Sequence, residues 1–163
     1  MTRAALPVIF ILQLLAPGIA PAQEAIYVVR HAERLDQSPD SLLSAEGLGR
    51  SNRLRDLLRE AGVTHIFTSE LRRTIDTAKP LAEALRVTPQ TLPAAEVAAL
   101  ASRLTSLGAH DRALVVGHSN TVPQILRALK VDTAVTINDS DYDNLFIVVP
   151  VKASAPSLLR LKF

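Results

Sequence analysis

Two apolar, β-prone runs in this sequence each lead into a histidine. The first run, residues 26–29, is followed by Arg30 and His31, and the second, residues 113–116, is followed by a glycine and then His118. If both runs are parallel strands of one open α/β sheet, their carboxyl ends meet at the edge where such sheets bind ligands. Two imidazoles and a guanidinium at that edge predict a site for an anion.

The apolar residues after residue 23 alternate between strand and helix periods. They predict the element order β-α-β-α-α-β-α-β-β, without a linker that would divide the chain into two domains. This order is typical of an α/β fold, and we expect a three-layer sandwich with a mainly parallel central sheet and helices on both faces. The predicted strands are residues 26–30, 65–68, 113–117, 145–149 and 158–161.

Residues with capping preferences mark where the predicted helices begin. Ser44 is a favoured N-cap type, and Ser69 with Glu70 is expected to cap the second helix. Pro93 suits the first turn of a third helix. Glu96 is therefore expected in that first turn.

The first 22 residues have the character of an export signal. Arg3 is their only charged residue, residues 8–15 are almost entirely apolar, and residues 20–22 form the small-x-small pattern of a cleavage site. The apolar run is too short to cross a bilayer. We therefore expect residues 1–22 to be removed, with no membrane anchor left, and residues 23–163 to be one catalytic domain in the periplasm or outside the cell.

The composition excludes several classes of function. The chain has a formal net charge of only +2 and lacks the concentrated basic face of a nucleic-acid binder. It contains no cysteine, which excludes disulfides and thiolate catalysis. Its four histidines lack the spacing of a metal site. We expect neither nucleic-acid partners nor a bound metal.

The residues around the two histidines fit phosphate chemistry. A neutral imidazole is a good nucleophile for phosphorus, which makes His31 the candidate nucleophile. Arg30 supplies guanidinium donors for phosphate oxygens. His118 directly precedes Ser119 and Asn120, where a further helix is expected to begin, and the free N–H groups of a helix N-terminus favour an anion.

Four segments, in this order along the chain, resemble the histidine phosphatase superfamily, in the branch that includes the cofactor-dependent phosphoglycerate mutases and small phosphohistidine phosphatases. Together they span nearly all of the expected catalytic core, and the ordered set is more specific than any one of them. The segments are residues 30–33 (Arg-His-Ala-Glu), 43–47 (Leu-Ser-Ala-Glu-Gly), 68–78 (from Thr-Ser-Glu-Leu-Arg-Arg to Thr-Ala) and 116–120 (Val-Gly-His-Ser-Asn).

The resemblance implies a role for each matching residue. His31 is the nucleophile that becomes phosphohistidine, and Arg30, Arg73 and His118 form the rest of the phosphate pocket. Arg73 holds the second arginine position because the family places that arginine four residues after the serine, here Ser69. The resemblance also implies a phosphoglycerate mutase-like fold and no cofactor.

The sequence departs from the family pattern in two places. Ala32 stands where glycine is commoner. The family's general acid usually lies between the second arginine and the second histidine, and Glu96, shortly after Pro93, is the candidate there. Glu83 in the same interval has the pattern of an ordinary exposed helix residue.

Three functions are compatible with these residues. The first is a phosphatase that acts through phospho-His31 on a phosphorylated small molecule, glycan or protein. The second is a phosphomutase, and the third is a phosphate-binding module with little or no turnover. The short segment between Arg73 and Pro93 leaves little room for a mutase lid. The sequence therefore favours a phosphatase of phosphomonoesters or phosphoramidates.

Overall fold

A six-stranded mixed sheet forms the centre of the molecule. The computed structural model describes residues 25–151 and 154–163, so the predicted signal peptide lies outside the described residues. The strands are β1 (Ala25–Arg30), β2 (His65–Thr68), β3 (Gln90–Thr91), β4 (Arg112–Gly117), β5 (Asn144–Val149) and β6 (Ser157–Lys162). The helices are α1 (Ala45–Leu58), α2 (Arg72–Leu85), α3 (Val97–Thr105) and α4 (Thr121–Ala128).

The strand order is β3-β2-β4-β1-β5-β6. The four strands from β3 to β1 are parallel, whereas β5 runs antiparallel to β1 and β6 antiparallel to β5. In the β1–β4 register, Arg30 lies opposite Gly117. The two strands therefore end at the same level, and the residues that follow them emerge side by side.

Helices cover both faces of the sheet because successive strand residues point to opposite sides. Val28 of β1 lies in an apolar cluster with Leu104 of α3 and Ile125 of α4. Its neighbour Val29 lies in a second cluster with Leu54 of α1 and with apolar residues of α2. The predicted three-layer α/β sandwich with a mainly parallel sheet is confirmed. Within residues 25–151 and 154–163, no helix has the length and apolar character needed to span a bilayer.

Two helix starts and one strand differ from the sequence prediction. The second helix begins at Arg72 with Leu71 as its N-cap, because the Ser69 side chain is engaged elsewhere. The third helix begins at Val97 rather than Pro93, with Glu96 as its N-cap. The residues from Pro93 to Glu96 instead form a turn, closed by the Glu96 N–H bond to the Pro93 carbonyl. The two-residue strand β3 was not predicted.

Candidate active site

His31 and His118 lie side by side at the carboxyl ends of β1 and β4. The backbone N–H of His31 donates to the carbonyl of Gly117 at 2.9 Å, which extends the pairing of the two strands by one bond. The centroids of the two imidazole rings are 5.3 Å apart. The parallel register of β1 and β4 thus brings together two residues that are far apart in the sequence.

The surroundings of His31 leave one ring nitrogen free for attack. The side chain is buried, and Nδ1 lies 2.7 Å from the carbonyl oxygen of Ala32. A carbonyl can only accept, so Nδ1 carries the ring proton and Nε2 keeps its lone pair. The Ala32 N–H donates to Thr77 Oγ1 of α2 at 2.9 Å, which anchors this segment. Burial lowers the pKa of His31 to about 3, so the ring is neutral at neutral pH.

His118 is held by contacts on both its ring and its backbone. Its Nε2 lies 2.9 Å from Ser69 Oγ, and its backbone N–H donates to Thr121 Oγ1 at 2.9 Å. Burial, followed by the positive charge of Arg73, lowers the pKa of His118 to about 4. Asn120 is the N-cap of α4 but makes no capping bond with its side chain. The remaining ring nitrogen of His118, Nδ1, is buried and has no hydrogen-bond partner among the described residues.

The arginines at the site are fixed by backbone carbonyls. Arg30 Nη1 donates to the carbonyls of Asn138 and Asp139 at 2.8 and 2.9 Å. The Arg30 guanidinium also lies over the ring of Tyr142, 4.0 Å from its centroid. Arg73 Nη1 donates to the carbonyl of Pro39 at 2.7 Å. These bonds hold the guanidinium groups in place without neutralising them.

One open cavity of about 460 Å³ brings these groups together. Four of the predicted site residues line it, and so do Arg34 and Glu70, which sequence reasoning did not place at the site. Arg34 could have been noticed as a further cation three residues after His31. Side chains lining the cavity include Arg30, His31, Arg34, Glu70, Arg73 and His118.

Glu96 does not line this cavity. It lines an adjacent narrow cavity, which shares Ala94, His118 and Thr121 with the larger one, and its side chain is exposed. The role of Glu96 as general acid stays a prediction.

Several residues that line the cavity each carry a buried side-chain nitrogen atom without a hydrogen-bond partner among the described residues. Buried side-chain polar atoms are nearly always hydrogen-bonded, so unpaired ones call for an explanation. In the described part of the chain, four such atoms belong to cavity-lining residues, and we call them the donor set: Nε of Arg30, Nε of Arg34, Nε of Arg73 and Nδ1 of His118. This arrangement can bind an oxyanion next to His31. No group of three His, Cys, Asp or Glu side chains that could hold a metal occurs in the described ranges.

Comparisons with known proteins show which family the sequence resembles. The family model for the histidine phosphatase superfamily (branch 1) matches residues 26–96, which include His31 and Arg73. The chain belongs to the histidine phosphatase superfamily. This superfamily includes both phosphatases and mutases.

Curated relatives of this histidine phosphatase superfamily member match part of the chain. It is 37% identical over 68 residues to "Probable phosphoglycerate mutase GpmB" of Proteus mirabilis, a match that covers 37% of this chain and 32% of that protein. The corresponding protein of Yersinia pestis is 36% identical over 75 residues, which are 42% of this chain and 35% of that protein. The chain therefore spans about a third of the length of the curated relatives it matches.

Solved structures match nearly the whole chain at low identity. The protein histidine phosphatase SixA, complexed with tungstate, aligns with a TM-score of 0.70 and 17% identity, over 85% of this chain and 96% of that one. A mycobacterial glucosyl-3-phosphoglycerate phosphatase aligns with a TM-score of 0.64 and 14% identity, over 85% of this chain and 97% of that one. These likenesses show that the superfamily member has a phosphoglycerate mutase-like fold.

Proposed function

We propose that this chain is an exported phosphatase that hydrolyses phosphomonoesters or phosphoramidates through a phosphohistidine on His31. The observation that carries the proposal is the donor set around one cavity. The guanidinium and imidazole groups of these residues are hydrogen-bond donors, and an oxyanion in the cavity would supply acceptors for them. A phosphoryl group has three equatorial oxygens to accept from such donors, and its charge is met by the surrounding guanidinium groups.

The proposed reaction proceeds in two displacements at phosphorus. His31 Nε2 attacks the phosphorus while Nδ1 keeps its proton bonded to the Ala32 carbonyl, and the bond from phosphorus to the leaving oxygen or nitrogen breaks. The leaving atom takes up a proton. Water then attacks the phosphohistidine, the phosphorus–nitrogen bond breaks, and His31 and inorganic phosphate are released. The donor set stabilises the charge on the equatorial oxygens in both displacements.

The open cavity supports hydrolysis over phosphomutase activity. A mutase must keep water from the phosphoenzyme, which requires a cover over the site. The chain between Arg73 and the start of α3 consists of α2, β3 and short loops. The resemblance to proteins named phosphoglycerate mutase GpmB nevertheless makes transfer to a second hydroxyl the competing activity to be measured.

The proposal of export rests on residues 1–22, whose composition fits a cleaved signal. Substrates in the periplasm or outside the cell include phosphorylated small molecules, glycans and proteins. Such diverse substrates are represented among the solved neighbours, one of which is named a protein histidine phosphatase and another a glucosyl-3-phosphoglycerate phosphatase. The cavity is open to solvent, which fits a phosphate displayed on a large molecule.

The first experiment measures hydrolysis of para-nitrophenyl phosphate by residues 23–163 in the presence of EDTA, beside His31→Ala. We expect turnover by the wild type and a loss of at least about 10³-fold in the variant, because no other residue takes over the nucleophile's role. A phosphoenzyme trapped by acid quench, absent from His31→Ala, would identify the intermediate.

Three results would contradict the proposal. Turnover retained by His31→Ala removes this residue as nucleophile. Phosphate transferred between the hydroxyls of phosphoglycerate faster than inorganic phosphate is released assigns the chain as a mutase. Binding of vanadate without any turnover assigns it as a phosphate-binding module.

A further inference from the structure

We propose that Glu70 is the proton donor to the leaving oxygen and the proton acceptor for water in the second displacement, an assignment that rests on the phosphatase function proposed above. Glu70 directly follows Ser69, whose Oγ lies 2.9 Å from His118 Nε2. It also lines the cavity that the donor set surrounds. The sequence pattern predicted Glu70 only as part of a helix cap. Because α2 begins at Arg72 with Leu71 as its N-cap, Glu70 does not have that role.

A backbone contact holds the Glu70 carboxylate at the rim of the cavity. Its Oε2 accepts a hydrogen bond of 2.8 Å from the backbone N–H of Ala94. This bond connects the loop after β2 to the loop before α3, and both loops line the cavity. Across residues 25–151 and 154–163, no cation lies within ion-pair distance of this carboxylate. The carboxyl group is therefore positioned by a backbone contact rather than by an ion pair.

The direction of an in-line displacement favours a residue at the rim. His31 is 3% exposed, so it attacks from the buried floor of the cavity. The leaving oxygen lies opposite the nucleophile and therefore toward the open side. Glu70 lines the same cavity as His31 and, unlike His31, is exposed to solvent.

The other carboxylates near the site are less suited to giving up a proton. Asp139 lines the cavity, but it already forms an ion pair with Arg30, in which Oδ1 lies 4.0 Å from Arg30 Nη2. Glu96 does not line the cavity with the donor set, but it lines a narrow cavity that shares His118 with it. Glu70 is thus the carboxyl group that combines access to the leaving oxygen with freedom from an ion pair.

The proton balance closes over one turnover. In the first displacement the Glu70 carboxyl gives its proton to the leaving oxygen, which departs as an alcohol, and Glu70 becomes a carboxylate. In the second, the carboxylate takes a proton from the attacking water as the new phosphorus–oxygen bond forms and the bond to His31 breaks. Glu70 is then a carboxylic acid again, and inorganic phosphate is free to leave.

The test compares kcat/KM for phenyl phosphate and for para-nitrophenyl phosphate in the wild type and in Glu70→Gln. The amide oxygen of the variant can still accept from the Ala94 N–H, so the loop contact is kept. We expect a loss of about 10²-fold or more with phenyl phosphate, whose phenolate needs a proton to leave. With the activated nitrophenyl ester we expect a loss of less than about 10-fold. The basic limb of the pH profile for phenyl phosphate should also disappear in the variant.

Two further variants make the comparison specific. Glu83→Gln changes an exposed glutamate of α2 that lies 4.0 Å from Lys79, outside the cavity, and both esters should be hydrolysed as by the wild type. Glu96→Gln tests the acid that the sequence predicts. A leaving-group-dependent loss in Glu96→Gln and none in Glu70→Gln overturns the assignment of Glu70.

The outcomes separate this assignment from the proposed function. Equal losses on the two esters in Glu70→Gln, or no loss on either, overturn Glu70 as the acid if the activity still depends on His31. A wild type that hydrolyses neither ester, or activity that survives in His31→Ala, overturns the phosphatase function and the assignment together.

Discussion

At the residue scale, burial sets the protonation of the two site histidines. It lowers the pKa of His31 to about 3 and that of His118 to about 4, from an ordinary value of 6.5. Neutral rings are what the proposed mechanism needs, because only a neutral imidazole has a lone pair to attack with. Because of the same burial, protonation of either ring in acid destabilises the folded chain.

The lowered pKa values predict how the free energy of unfolding depends on pH. Below pH 6.5 the unfolded chain protonates both histidines, whereas the folded chain resists protonation until the pH approaches 4 or 3, so the free energy of unfolding falls as the pH falls. The loss is up to about 1.4 kcal/mol per pH unit for each histidine. Urea unfolding at pH 7 and pH 5 should show a smaller loss in His31→Gln than in the wild type. His110→Gln, which changes an exposed histidine, should keep the wild-type loss; an unchanged loss in His31→Gln would contradict the prediction.

At the element scale, the start of α1 requires a glycine. Ser44 is the N-cap, as predicted, and its Oγ accepts from the Gly47 N–H at 3.1 Å. A Cβ at Gly47 would overlap the backbone of Glu33, just after His31. The close approach places the helix against the segment that follows His31, so the glycine of this motif serves packing rather than chemistry.

Two glycines of α1 give a matched test of this packing. Gly47→Ala should lower the free energy of unfolding by about 1–3 kcal/mol, because the backbone of Glu33 must move to admit the methyl group. Gly49→Ala meets only Arg53 Nη1 at 3.7 Å and should raise stability by about 0.5–1 kcal/mol through helix propensity. Denaturant titrations measure both. Equal effects of the two substitutions would show that the contact with Glu33 does not constrain α1.

At the scale of the whole molecule, an anion in the cavity should stabilise the fold. Side chains from β1, the loop before α1, α2 and the loop after β4 surround the cavity, so a ligand bound to all of them opposes unfolding. Vanadate at 100 times its Kd should raise the free energy of unfolding of the wild type by about 2.7 kcal/mol.

Adjacent arginines of α2 provide the control for this effect. Arg73→Ala removes a cavity-lining guanidinium and should abolish most of the stabilisation at the same vanadate concentration. Arg72 is exposed and does not line the cavity, so Arg72→Ala should keep the stabilisation by vanadate. Thermal unfolding with and without vanadate measures the difference. An equal loss in both variants would mean that general positive charge, rather than the donor set, holds the anion.

The sequence by itself determined the features that depend on near neighbours along the chain. The apolar periods predicted five of the six strands. The strand β3 was not predicted, because two residues are too few to show a period. The ordered motifs identified His31, Arg30, Arg73 and His118 as candidate site residues. Their residue types and spacing indicate phosphate chemistry. The start of α2 was missed because Ser69 bonds across the fold to His118 instead of capping, which capping preferences do not reveal. The start of α3 was missed because the residues from Pro93 to Glu96 form a turn before the helix.

Only the tertiary structure decided what lies next to what. It inserted β4 between β1 and β2, which brings the imidazoles of His31 and His118 to 5.3 Å, and it left Glu96 on an adjacent cavity. It also holds the Glu70 carboxylate at the rim of the cavity through the hydrogen bond from the Ala94 N–H. Strand order and loop contacts of this kind depend on how helices and strands distant in sequence share one core. Local patterns predict the elements, but the packing of both sheet faces selects their neighbours.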